Sequence, residues 1–524
     1  MPATRGRGGL GRALDTFRVR RIAPASRHYP RPPDPARDSA TPLSRIVADQ
    51  LFSRIAGADR VDGNAVRVLR DGAENYAAWL AAIRGARRWV NFENYIIRDD
   101  AVGREFADAL VAKATEGVKV RILYDWMGCL TTWPGLWRRL RHAGADVRCF
   151  NPPHLASPFG WLSRNHRKSV CVDGEVGFVA GLCVGQVWVG EPARNKAAWR
   201  DTGIELRGPA VADLDQAFTQ SWTFAGGAMP APEQLHIPEP AGTTAVRVIG
   251  SKPNTMGIYR LDQVIAAMAR HRLWLTDAYF VGTTAYVRAL CEAAQGGVDT
   301  RILVPGASDL PISKALSRAG YRPLLEAGVR VFEWDGPMLH AKTAVADGRW
   351  ARIGSSNLNL ASWMGNWELD VAVEDEAFAA GMEMMFEEDL RHATEIVLEG
   401  CQVHASTPAS SGTPKPDRKP RRGAPGRLAA GAVGLGSTVT AAITNHRALG
   451  PAEATVMAGG GILLLMLAVA SIVIPYLVTI PLAVLACWVA VTLLVRAGRL
   501  RLQRRRESGA DLPSHQPPQP PTPA

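Results

Sequence analysis

The chain has 524 residues, enough for two or three domains and a sizeable core. Its 61 Lys and Arg against 49 Asp and Glu leave a net charge of +12, which favours anionic partners: phosphate groups, nucleic acid or an acidic membrane face. Seven scattered cysteines with no C-x-x-C pair argue against a disulfide framework and a zinc site, and fit a reducing compartment.

Residues 1–40 carry nine Arg against three Asp among repeated Gly and Pro, with no apolar run long enough for a signal peptide, and read as a disordered basic arm. From Thr41 the pattern becomes globular. The spacing predicts a helix over Leu43–Ile55, a short strand over Ala65–Leu69, and a helix over Gly72–Gly85 with Tyr76, Trp79, Leu80 and Ile83 on one face. Strand Trp89–Ile97, helix Gly103–Thr115, strand Val118–Tyr124, helix Leu136–Ala143 and strand Val147–Phe150 follow. This βαβαβ order implies an α/β layer with a largely buried sheet.

The order then recurs. Trp89-Val-Asn-Phe-Glu-Asn-Tyr-Ile-Ile97 is echoed by Leu273-Trp-Leu-Thr-Asp-Ala-Tyr-Phe-Val281, and Glu116-Gly-Val-Lys-Val-Arg-Ile-Leu123 by Gly296-Gly-Val-Asp-Thr-Arg-Ile-Leu303. Ala143-Gly-Ala-Asp-Val-Arg148 is matched by the segment from Ala327, and the offset stays near-constant at about 180 residues. The chain therefore holds two copies of one α/β half.

Each copy carries one H-x-K-x4-D motif: His166, Lys168 and Asp173 in the first, His340, Lys342 and Asp347 in the second. Alternation of Leu339, Ala341 and Thr343 against His340 and Lys342 suits a strand, which puts the latter two on one face about 7 Å apart. The somewhat smaller offset between the motifs reflects a Pro- and aromatic-rich insertion, Asn151–Asn165. A small polar run, Ser355, Ser356 and Asn357, follows the second motif, and an acid lies downstream of each: Asp201 in Trp199-Arg-Asp-Thr-Gly-Ile-Glu-Leu206 and Glu368 in Trp367-Glu-Leu-Asp-Val-Ala-Val373. A lone H-x-K is usually a strand surface; two copies at matching places in a repeat point to chemistry. His142, His154 and His271 have no such context and read as surface or packing residues.

The paired motifs, each with a following small-residue turn and a later acid, resemble the phospholipase D superfamily. The flanking "ILYDWMG", "WRDTGIELRGPAV", "DAYFV", "RILVPGASD", "LLEAGVRVFEW" and "GNWELDVAVED" narrow this to its cardiolipin synthase branch, over roughly Gly63–Leu398. The resemblance implies an α/β fold of two pseudo-twofold-related halves sharing one active site, and a phosphohistidine intermediate. By analogy His166 is the nucleophile and His340 the general acid and then base, with Asp201 and Glu368 orienting the imidazoles. Asp173 and Asp347 belong to the motif set, but the resemblance suggests that they stabilise the turns after the strands. The residues themselves fit this chemistry. Lys168 and Lys342 can neutralise a phosphodiester, Ser355, Ser356 and Asn357 are candidate phosphate donors, and two histidines can attack on one side and protonate on the other. The carboxylates around the motifs are too dispersed for an evident metal site, and no cofactor is expected. One departure stands out: Ala180-Gly-Leu-Cys183 replaces the usual G-[GS]-x-[NS], so Cys183 offers a weak donor. It reads either as a difference between donor and acceptor pockets or as a neutral packing change.

Residues 401–427 are Pro/Ser/Gly-rich and basic, a flexible linker. No charged residue occurs from Thr455 to Val495, and as one helix those 41 residues would be about 60 Å long, twice a hydrocarbon core. Pro475 and Pro481 divide them into two predicted transmembrane spans, 456–474 and 477–496, within a membrane region 428–500; residues 428–444 read as an interfacial helix or a third span. Basic residues on both flanks place the catalytic body in the cytoplasm, at the inner membrane. Residues 501–524 read as a disordered tail. The predicted halves are 41–235 and 236–400. The expected function is phosphatidyl transfer joining two phosphatidylglycerols to cardiolipin and glycerol. The alternatives are a phospholipase D using water and a nuclease-type phosphodiesterase. The expected partners are an anionic phospholipid membrane and phospholipid substrates rather than nucleic acid, because the membrane region brings the site to lipid.

Overall fold

The computed structural model describes residues 42–153, 162–229, 236–399 and 402–405, with isolated helical positions between 465 and 491. The predicted basic arm, most of the linker, the 428–444 segment, the hairpin 456–474/477–496 and the tail lie outside the described residues. No helix among the described residues is long and apolar enough to cross a membrane.

Among the described residues, sixteen strands form one sheet. The first half supplies β1 (Val61–Arg70), β2 (Trp89–Asn94), β3 (Lys119–Asp125), β4 (Asp146–Phe150), β5 (Ser169–Val172), β6 (Val176–Ala180) and β7 (Thr202–Arg207). The second supplies β8 (Thr244–Ser251), β9 (Arg272–Thr276), β10 (Asp299–Pro305), β11 (Arg330–Trp334), β12 (Thr343–Ala346), β13 (Trp350–Gly354) and β14 (Glu368–Glu374), extended by β15 (Ala393–Glu399) and β16 (Gln402–Ala405). The order β16-β15-β11-β10-β9-β12-β13-β14-β8-β1-β7-β6-β5-β2-β3-β4 reads outward the same way from the central β8/β1 pair, apart from the last two strands. The repeat seen in sequence is thus a pseudo-twofold in space. Strands joined by helical crossovers are parallel (β2/β3/β4 and β9/β10/β11), whereas β5–β7 and β12–β14 run as antiparallel meanders.

Helices cover the sheet where the 3.6-residue period predicts them. Tyr76, Trp79, Leu80 and Ile83 of helix Asp71–Gly85 are all buried, and helix Ala101–Thr115 is capped by Asp100, whose carboxylate accepts from the Gly103 N–H. The first helix, Pro42–Ala56, departs from the predicted division. Ala56 joins the second half's core, and Arg247 of β8 forms an ion pair with Asp49 at 3.2 Å. A first-half segment thereby packs on the second half, which a boundary drawn at residue 235 does not convey.

Candidate active site

The site lies at the carboxyl ends of the parallel strands, where the halves meet. His166 enters from the loop after β4, and its N–H donates to the Trp367 carbonyl (2.9 Å), while the Trp367 N–H donates to Arg164 (2.8 Å). The second half repeats the arrangement: His340 N–H to the Arg200 carbonyl at 2.7 Å, and Arg200 N–H to Met338 at 2.9 Å. Each histidine is therefore strapped, backbone to backbone, to the residue just before the acid of the other half. His340 and Lys342 lie in an extended segment ahead of β12, which begins at Thr343, and not in the strand as predicted. The strap to Arg200 takes up the backbone groups that a ladder would have used.

The straps cross-pair the acids. Glu368 of the second half faces His166 Nδ1 at 2.9 and 3.1 Å, and Asp201 of the first half faces His340 Nδ1 at 2.7 Å. A carboxylate at Nδ1 fixes the proton there and leaves Nε2 for a reacting atom. The acids are held in turn. Glu368 accepts from Ser355 Oγ–H at 2.6 Å and from Asn366 Nδ2–H at 3.2 Å; Asp201 accepts from Trp188 Nε1–H at 3.0 Å and from the Thr202 N–H at 2.8 Å. Gly181 occupies Ser355's place in the first half, and a Cβ there would sit 2.3 Å from Asp201 Oδ1. A serine cannot fit, so the indole of Trp188 supplies the donor.

Lys168 and Lys342 are fully buried, and each donates to the carbonyl of its own motif histidine. Lys342 Nζ also comes within 3.1 Å of His340 Nδ1. With that nitrogen's proton committed to Asp201, this is a close electrostatic approach and not a hydrogen bond. Tyr95 packs edge-on against His166 (5.0 Å) and Tyr279 against His340 (5.9 Å), each also beneath its lysine. His340 is further enclosed by Trp188 and Trp199, both at 5.8 Å, leaving it 6% exposed against 9% for His166. The tyrosines occupy matching places in the two sequence copies and were open to discovery there. Trp363 stands close to the matching place in the second half but leaves its Nε1 unpartnered, so the repeat gives no signal for the role of Trp188.

Burial, reinforced by Lys168 and opposed by Glu368, lowers the His166 pKa to about 4. Burial and then Lys342 lower His340 as well, so both rings are neutral at neutral pH. Burial lowers Lys342 to about 8 and also lowers Lys168. It pushes Glu368 and Asp201 up, but the facing imidazole and the nearby lysine outweigh it, and both carboxyls stay below their ordinary range.

The other predicted residues separate. Asp173 and Asp347 stand outside the pocket in left-handed turns (φ 57° and 51°), where each carboxylate accepts three backbone N–H groups: Arg87, Arg88 and Trp89, or Arg270, His271 and Arg272. They anchor the turn after β5 or β12 to the start of β2 or β9. Ser355 and Ser356 are not free phosphate donors, because a hydroxyl has one proton and theirs go to Glu368 and Asp370. Asn357 is buried with its acceptor Oδ1 unpartnered, so any donation to phosphate would have to come from its Nδ2–H. Cys183, at the matching place, lies in the first half's apolar core, and burial pushes its thiol pKa up. It remains a protonated packing residue.

Two α/β halves that lend each other an acid, around paired histidines and lysines, define a phospholipase D-type enzyme. The chain matches the family described as "Cardiolipin synthase, PLD-like domain" over residues 79–184 and 264–390. It is 35% identical over 366 residues to cardiolipin synthase A of Pseudomonas aeruginosa, covering 69% of this chain and 74% of that one. Against a cardiolipin synthase of Alkalihalophilus pseudofirmus it is 34% identical over 338 residues, covering 63% and 67%. The crystal structure of a phosphatidylserine synthase from Haemophilus influenzae superposes with a TM-score of 0.53 at 14% identity, covering 66% of this chain and 91% of that one, a likeness of fold. The chain belongs to the phospholipase D-like cardiolipin synthase family.

Proposed function

We propose that this enzyme joins two phosphatidylglycerols into cardiolipin and releases glycerol, through a phosphohistidine intermediate. The cross-paired histidines carry this reading: two neutral imidazoles, each proton-fixed at Nδ1 by the other half's acid. His166, the more open of the two, attacks the donor phosphorus through Nε2 while His340 protonates the departing glycerol oxygen. The bond to glycerol breaks as the P–N bond forms. A hydroxyl of the second phosphatidylglycerol then gives its proton to His340 and displaces His166. Lys168 and Lys342 neutralise the phosphodiester, and Asn357 is the remaining candidate donor of its run. His340 is neutral in the empty site, and the entering anion raises its proton affinity by offsetting Lys342. Its enclosure by Trp188, Trp199 and Tyr279 disfavours bulk water at the base and supports an alcohol acceptor over hydrolysis. The segments 456–474 and 477–496, free of charge as far as Val495, are proposed to anchor the enzyme in the inner membrane with its catalytic body cytoplasmic.

Incubation with phosphatidylglycerol and phosphatidylethanolamine vesicles, with products identified by mass spectrometry, tests this. Cardiolipin with released glycerol is expected, and phosphatidic acid alone would instead assign a hydrolase. His166→Asn and His340→Asn are each expected to abolish product; near-full activity in either would sink the shared-site mechanism. Turnover is expected to survive EDTA, since the lysines supply the charge neutralisation. Loss in EDTA with recovery on adding a divalent ion would overturn that.

A further inference from the structure

The edge of the molecule that holds the site also carries an unusual set of side chains. The loop from 126 to 133, at the carboxyl end of β3, is pinned beside the site: Thr132 Oγ1 donates to the Ile97 carbonyl at 2.6 Å, and Gly128 abuts the carbonyl of Tyr95, the residue packed on His166. This loop leaves Trp133 62% and Leu130 44% exposed. The chain leading into His166 leaves Leu162 54% exposed, and Asp125 ties the two segments together by accepting from the Asn165 N–H at 2.9 Å. Phe224, 55% exposed, stacks on Phe150 at the end of β4, and Met364, 41% exposed, sits in the turn just before Trp367. Five large apolar side chains are thus exposed on four separate segments that are tied to the end of the sheet holding the site.

Scattered exposed apolar residues need no explanation, but a cluster on one edge does. The surrounding charge identifies the occupant. The Arg138 guanidinium lies 6.0 Å over the Trp133 ring, and the Lys252 ammonium 5.5 Å over Trp367. Trp367 is itself buried, but the exposed Trp133 ring with Arg138 alongside suits the headgroup layer of an anionic bilayer, where the ring lies at the acyl boundary and the cation meets phosphate. A protein partner would not require this pairing. We propose that this rim is a membrane-docking surface: Trp133, Leu130, Leu162, Phe224 and Met364 enter the outer part of an anionic phospholipid leaflet and set the catalytic opening against it. The docking is made by the catalytic body itself, apart from any anchor in residues 456–496. It deepens the lipid reading above and rests on it for the kinetic test alone.

The double variant Trp133→Ser/Leu130→Ser in the full chain separates docking from chemistry. Turnover of phosphatidylglycerol in mixed phosphatidylcholine–phosphatidylglycerol vesicles is expected to fall about tenfold or more. Turnover of a short-chain phosphatidylglycerol dispersed as monomers should stay within about twofold of wild type, because neither side chain touches the histidines. An equal fall on both substrate forms, or no fall on vesicles, would overturn the rim. Hydrogen exchange on the wild type supplies a readout independent of turnover. The 126–138 backbone is expected to be protected in the mixed vesicles relative to pure phosphatidylcholine vesicles, and unchanged exchange there counts against docking. If the wild type turns over neither lipid form, the proposed reaction fails, while the exchange result still decides the rim.

Discussion

Asp201 and Glu368 act on histidines that are 139 and 202 residues away in the chain. Asp201→Asn and Glu368→Gln keep size and lose charge, so the imidazole loses its tautomer control and its partner for the protonated state. Each is expected to lower kcat by a factor on the order of 10²–10⁴ with the fold intact by circular dichroism. Trp188 acts one step further out, as a positioning residue whose N–H holds Asp201. Trp188→Phe keeps most of the packing and leaves that carboxylate oxygen short of a donor. A fall in kcat of about tenfold to a hundredfold is expected, with KM little changed. A purely structural role would appear instead as a lower melting temperature with normal kcat. Protonation linkage gives a further test. His166 has a folded pKa of about 4 against an ordinary 6.5, so between those values the unfolded chain holds more protons. Its stabilising contribution is complete above pH 6.5 and is lost as pH falls towards 4, by about 3 kcal/mol at most. Melting temperatures of wild type and His166→Asn across that window should converge or cross on the acid side; a constant difference would contradict the buried neutral ring.

At the scale of elements, the two motif aspartates show how a conserved-looking spacing can mix chemistry with architecture within this one repeat. Asp173 and Asp347 each follow a short strand by one residue and collect three N–H groups from the segment that starts the antiparallel neighbour, β2 or β9. The left-handed backbone there suits Asp or Asn. Asp347→Asn retains that tolerance and loses the charge, so it is expected to cost about 1–2 kcal/mol of stability while kcat of the folded protein stays within about threefold. Thermal melts alongside activity per folded molecule check this, and a loss of kcat without a loss of stability would return Asp347 to the catalytic group. Helices and strands were legible because Tyr76, Trp79, Leu80 and Ile83 keep a helical period and the β2 and β9 segments recur. The placement of His340 in a strand was not, because its segment alternates correctly but spends its hydrogen bonds on Arg200. Local period cannot show which partner a backbone will find.

For the whole molecule, neither half contains a complete histidine–carboxylate pair. Residues 41–235 hold His166 without Glu368, and residues 236–400 hold His340 without Asp201. Produced separately, the two pieces are expected to turn over no phosphatidylglycerol, and co-production to restore a measurable rate through the β1/β8 seam and the two straps. Buried Arg167 and Arg200 reinforce those straps. Arg167 donates to the Glu368 carbonyl at 3.0 Å, and Arg200 forms an ion pair with Asp389 at 2.8 Å. An active single half would show that the cross-pairing is dispensable.

The sequence by itself determined the repeat, the order of its elements, the paired His/Lys motifs and the two later acids, because each is written in local period or in recurrence at a near-constant offset. It also carried the difference between Cys183 and Asn357. Tertiary structure alone decided that the acids exchange halves, that Ser355 and Ser356 serve carboxylates, and that Trp188 substitutes for a hydroxyl that Gly181 leaves no room for. The physical reason is common to all three. A buried donor or acceptor must be satisfied by whatever group the packed halves bring within about 3 Å, and that neighbour is set by the pseudo-twofold and not by distance along the chain.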